Sequence, residues 1–126
     1  RYQNFRDVFD SLLLCKFAPI TLTQISELLT SVTGFEYSPA QVCEAGERSF
    51  NLKRAINCTL GVSKNDDRLP GIVTKPLEEG SAAGKVPDME LLLNDYYEAR
   101  KWDKNTGKPC REKLVELGLE HTVHDI

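Results

Sequence analysis

The sequence predicts an all-α fold, a multihelical orthogonal-type bundle with a long irregular segment over about residues 62–86. Three observations carry this. Apolar residues recur at intervals of three and four along most of the chain, the spacing of a buried helix face. Two of these runs are preceded by capping-box start signals. No stretch alternates apolar and polar residues convincingly, as a half-buried strand does.

The elements follow in chain order. In the opening segment Phe5, Val8, Phe9, Leu12 and Leu13 have the spacing of a first helix, which Pro19 prevents from continuing. In "TLTQISELLTSVTG", Thr21 and Gln24 stand at capping-box spacing, so each side chain can satisfy the other residue's free backbone N–H. Ile25, Leu28, Leu29 and Val32 give that helix its predicted buried face, and Gly34 is placed for a left-handed cap. "SPAQ" is the clearest start: Ser38 caps, Pro39 takes the first helical position and Gln41 closes the box. Val42, Ala45, Ser49, Leu52, Ile56 and Leu60 then predict one buried face running to Gly61, a helix of about 20 residues or ~30 Å. The stretch "VSKNDDRLPGIVTKPLEEGSAAGK" holds two prolines, three glycines and no period. Irregular chain of that length inside a compact domain is functional or wraps a larger body. Helix resumes at Pro87 or Asp88, with Met89, Leu92, Leu93, Tyr96 and Tyr97 as the packing face. The turn "DKNTGKP" leads to a short last helix carrying Leu114 and Leu117 and closed by Gly118.

A chain of 126 residues is one domain with room for a real core. Sixteen basic against 19 acidic residues give a net charge of -3, and no basic stripe suggests a nucleic-acid footprint. The longest apolar run, Leu12 to Leu14, is far too short to span a bilayer, and no signal peptide is expected. The cysteines at 15, 43, 58 and 110 contain no C-x-x-C and no zinc-like pairing. Scattered thiols point to a reducing, cytoplasmic setting, although four cysteines also suffice for two bridges. Arg1 stands where a methionine is usual, and the residues after it already have helical character, so the chain is expected to be a fragment of something longer.

Candidate chemistry is sparse. His121 and His124, three apart, could share a metal on a helix, but they follow a helix stop and no other ligands cluster nearby. Asp66 and Asp67 most simply cap a helix or hold a turn, with acid–base pairing a minor alternative. Tyr96, Tyr97 and Trp102 could form a stacking platform, yet their helical spacing favours a core role. Glu47, Arg48, Lys53 and Arg54 are expected to form a polar face with ion pairs along the long helix. From composition and spacing alone, no active site is visible.

"AGERSFNLKRAIN" (45–57), "NDDRLP" (65–70), "KPLEEGSAAGK" (75–85), "YYEARKWD" (96–103) and "LGL" (117–119) occur in that order. Together they resemble the C-terminal part of the tungsten-containing aldehyde:ferredoxin oxidoreductase family. That family carries D-x-x-G-L-C ahead of the G-E-R helix; Asp10, Leu14 and Cys15 match it, with Leu13 where glycine is usual. The resemblance implies that Asp10, Leu14 and Cys15 belong to the cofactor-binding site, that Asp10 contacts an amine of a pterin cofactor, and that Cys15 is one thiolate ligand of a 4Fe-4S cluster. It implies a parent enzyme with a tungsten (or molybdenum) bis-pterin, oxidising aldehydes to carboxylic acids and passing electrons to ferredoxin. The remaining ligands would lie in upstream domains, so the isolated fragment is expected to bind no cofactor and to be inactive. No nucleic acid or membrane is expected as a partner. The alternative is a non-catalytic helical binding or structural module derived from that family, favoured by Leu13 and by arginines missing from "NCTLG" and "LPGI". If Asp10 and Cys15 address one cofactor, the first helix must end between about Leu12 and Cys15, because five residues turn an unbroken helix through roughly 140°. Cys15 is then expected at the surface beside an apolar patch of Leu13, Leu14 and Phe17, with Cys43 and Cys58 in packing roles.

Overall fold

A computed structural model describes residues 2–124. Its five helices are α1 (Tyr2–Ser11), α2 (Leu22–Thr33), α3 (Pro39–Thr59), α4 (Met89–Arg100) and α5 (Arg111–Glu116). Short 3-10 turns occupy Lys64–Asp66 and Glu120–Thr122. Among the described residues no strand forms; Leu77 with Ala83 and Trp102 with Pro109 make isolated bridges only.

The capping signals fold as local chemistry dictates. Thr21 and Gln24, and likewise Ser38 and Gln41, satisfy each other reciprocally at the starts of α2 and α3. Gly34 closes α2 at φ +77°, a left-handed conformation natural to glycine. Asp88 caps α4 through the Leu91 N–H.

The long helix α3 is the spine. α1 lies along it, α2 packs on it beside α1, and the α1–α2–α3 core contains Val8, Phe9, Ile25 and Val42. Phe5, Leu14, Ile20, Leu22 and Leu29 close around that core. A second cluster, Leu114, Leu117 and Leu119, packs with Leu52 and Val123. Tyr97 and Trp102 are buried in an aromatic layer against α3, where Trp102 stacks on Phe50.

The buried stripe of α3 differs from the apolar one expected. Val42 is buried, but Ala45, Ile56 and Leu60 are exposed; Gly46, Asn51, Arg54, Ala55 and Cys58 take the interior instead. The reason is steric. A Cβ at Gly46 would overlap the Asn4 carbonyl oxygen and come within 2.8 Å of Val8 Cγ2, so α1 crosses α3 where there is no side chain. That crossing sets the rotation of α3, and polar networks fill the rest of its inner face. α2 likewise buries Ile25 and Ser26 while Leu28 and Val32 face outward, and on α4 Leu92 is exposed. Residues 68–88 are exposed throughout and form no regular element.

Candidate functional site

The stretch from Asp10 to Ala18 is a built turn. α1 ends at Ser11, and the Leu14 N–H donates to the Phe9 carbonyl (2.9 Å) while the Leu13 N–H donates to that of Asp10 (3.3 Å). This is the paired-bond pattern of a left-handed helix cap, with Leu13 at its left-handed position, φ +55°. Leu14 accordingly folds back on the first core beside Phe9, so it is half-buried rather than part of the expected exposed patch. Further along, Arg6 donates to the Lys16 carbonyl at 2.8 Å and the Ala18 N–H to that of Cys15 at 2.9 Å. The turn is therefore tied to α1 on both sides of Cys15.

What the turn leaves outside is the relevant chemistry. Asp10 and Cys15 are both exposed, and Cys15 is a free thiol. Leu13 and Phe17 project with them, at 92% and 82% exposure. A leucine in left-handed geometry costs about 1–2 kcal/mol that a glycine would not. The helix break expected from the relation of Asp10 to Cys15 is present. Its cause is the left-handed cap at Leu13, two residues before Cys15, and not Pro19 alone.

The other candidates resolve into structure. Asp66 closes a capping box with Ser63 at the first 3-10 turn, and its carboxyl lies below the usual range because Ser63 donates to it from both backbone and side chain. Asp67 takes a two-pronged bond from Arg54 (2.8 and 2.5 Å) and a third from the Tyr97 hydroxyl (2.5 Å). Burial, then the bond to Asp67, pushes the Tyr97 hydroxyl well above its ordinary 10.0. Arg54 also donates to the Gly107 carbonyl and lies 4.8 Å over the Trp102 ring. Trp102 donates to Asn51, which is fully buried. Tyr96, half-buried, meets Trp102 edge-on at 5.6 Å, so the aromatic trio is packing.

The expected polar face of α3 is mostly a set of cross-links. Arg48 does pair with Glu44 on its own helix, but Glu47 holds the buried Lys113 (2.6 Å) and Lys53 holds Asp7 (3.0 Å). Burial works against the Lys113 charge, and the hydrogen bonds it donates to Glu47 and Glu116 outweigh it and raise its pKa. Asp7 is buried with Oδ2 unpartnered. Sequence reasoning singled out neither Asp7 nor Gly46. For Gly46 a signal existed, since an isolated glycine inside a helical run marks close packing. Cys58 is buried, Cys43 and Cys110 are half-buried, and burial, then Glu112 and Asp103, raises the Cys110 thiol. His121 and His124 are exposed, and no cluster of three potential metal ligands occurs among the described residues.

Comparison with known proteins gives consistent matches. A family model described as aldehyde ferredoxin oxidoreductase, domains 2 and 3, matches residues 1–119. The tungsten-containing aldehyde ferredoxin oxidoreductase of Pyrococcus abyssi is 30% identical over 126 residues, covering 97% of this chain and 21% of that protein. That of Pyrococcus horikoshii is 32% identical over 123 residues, covering 94% and 20%. Among solved structures, the active site complex BamBC of benzoyl coenzyme A reductase with 1,5-dienoyl-CoA aligns with a TM-score of 0.77. It is 22% identical and covers 94% of this chain and 18% of that one, a likeness of fold. The chain spans about a fifth of the length of the curated relatives it matches.

Proposed function

The chain belongs to the aldehyde ferredoxin oxidoreductase family, and we propose that it serves as the C-terminal helical part of a larger enzyme of that kind. The parent would oxidise aldehydes to carboxylic acids and deliver the electrons to ferredoxin. Its tungsten (or molybdenum) bis-pterin would supply the oxygen transfer and its 4Fe-4S cluster the electron path. One observation supports this most: the D-x-x-L-L-C stretch is an anchored turn that presents Asp10 and Cys15 and buries what lies behind them.

The residues fit their share of those groups. A free, exposed thiol can become the thiolate that soft iron prefers. An exposed carboxylate can accept hydrogen bonds from a pterin amine. Leu14 contributes by anchoring the backbone between them. A cluster of this type takes four thiolates, so the other ligands come from the upstream domains, and this chain alone is expected to be colourless and inactive.

The alternative, a helical module that has lost the chemistry, draws on Leu13, whose side chain stands where the family motif has none. Replacing Cys15 separates the two. In the full-length enzyme, Cys15→Ala is expected to lower the iron content and abolish the spectroscopic signal of the reduced cluster, while Cys43→Ala leaves both intact. Full iron content and an unchanged signal in Cys15→Ala would remove Cys15 from the cluster.

A further inference from the structure

Leu13 holds a left-handed backbone, φ +55°, with its side chain 92% exposed. A glycine would form the same cap without strain, so nothing within residues 2–124 offsets the presence of a leucine. Apolar neighbours stand beside it among the exposed Asp10, Ser11 and Lys16: Phe17 projects from the same turn at 82% exposure and Leu12 borders it. The Lys16 ammonium lies 5.0 Å over the Phe17 ring and partly covers it, which leaves Leu13 as the most prominent apolar group of the turn. Burying a leucine side chain fully is worth about 1.5–3 kcal/mol, enough to offset the about 1–2 kcal/mol of the left-handed conformation. On the reading above, most of the parent polypeptide lies outside this chain, which covers only about a fifth of its curated relatives.

We propose that Leu13 is a docking knob, seated in an apolar recess of the upstream part of the same polypeptide beside the cofactor contacts of Asp10 and Cys15. The turn that presents those two groups is thereby clamped from outside as well as from the core. This rests on the chain working inside a larger parent, and it does not depend on Cys15 ligating a cluster.

The test follows amide hydrogen exchange across residues 12–17 in the full-length holoenzyme. Leu13→Ala removes the knob, Leu13→Gly removes the knob and also the strain, and Leu13→Met keeps an apolar side chain. Leu13→Ala and Leu13→Gly are each expected to speed exchange at least about tenfold, and Leu13→Met to stay within about twofold of native, because exchange reports local opening. Relief of strain alone would slow exchange in Leu13→Gly, so a rate at or below native in that variant overturns the proposal. Dissociation of an oligomer by Leu13→Ala would assign the recess to a second copy and also overturn it. Iron content in Cys15→Ala is a separate readout. Its failure with responsive Leu13 variants removes the cluster reading alone, and silent Leu13 variants with lost iron remove the knob alone.

Discussion

Gly46 decides how near α1 comes to α3. Alanine normally improves a helix over glycine by about 1 kcal/mol, and here the sign should reverse. The added methyl would meet the backbone oxygen of Asn4, which cannot swing aside as a flexible side chain would. Gly46→Ala is therefore expected to destabilise the chain by about 2 kcal/mol or more, the cost of overpacking. Chemical denaturation measures it, and an unchanged or raised midpoint would show that α1 can shift without loss. Arg54 is the polar counterpart of Gly46. It gathers Asp67, Gly107 and Trp102, residues from the turn after α3 and from the stretch after α4, around one guanidinium.

The helices themselves rest on their ends as well as their faces. α3 runs 21 residues, and its first turn is closed by Ser38 and Gln41 with Pro39 preset at the start. Removing the Ser38 hydroxyl leaves the Gln41 N–H without its side-chain partner. Ser38→Ala is expected to cost about 1 kcal/mol, within the usual range for a cap, with no change in the denaturant slope. Equilibrium unfolding in urea reads both quantities, and a midpoint equal to native would mean that solvent replaces the cap fully. The segment 68–88 stands at the other extreme, exposed along its length and bonded within itself by short turns, with Arg54 on Asp67 just before it and the Asp88 cap at its end.

Over the whole molecule, stability should be flat from about pH 5 to pH 8 and fall on both sides. Asp66, Glu98, Asp103 and Glu116 titrate below their ordinary 3.8 or 4.5, held there first by hydrogen bonds from Ser63, Lys104, Thr106 and Lys101 respectively. Their contribution is present above those ordinary values and is lost as pH falls through the lowered folded ones. They lie at the surface, so the acid limb should be shallow and weaken in salt. Cys110, Tyr97 and Lys113 are raised above 9.0, 10.0 and 10.5, so their contribution is complete below those values and is lost as pH rises through the folded ones. Tm measured against pH, followed by the emission of the single tryptophan, Trp102, tests both limbs. A Tm that rises above pH 10 would contradict the alkaline one.

What the sequence determined by itself is what neighbours in the chain can settle. Thr21 with Gln24, Ser38 with Gln41, and Gly34 act within one helical turn, so the caps and the all-α class were legible. The Asp10–Cys15 stretch stood out only through its resemblance to a family motif, and the helix break expected there is present. The inner face of α3 was not. Asn51, Arg54 and Gly46 are interior because Trp102, Asp67 and Asn4 arrive from 51, 13 and 42 positions away. Periodicity ranks a position by its own hydrophobicity, and a buried arginine or glycine has none to show. Only tertiary structure decided those positions, because the partner that makes burial favourable is supplied by distant chain.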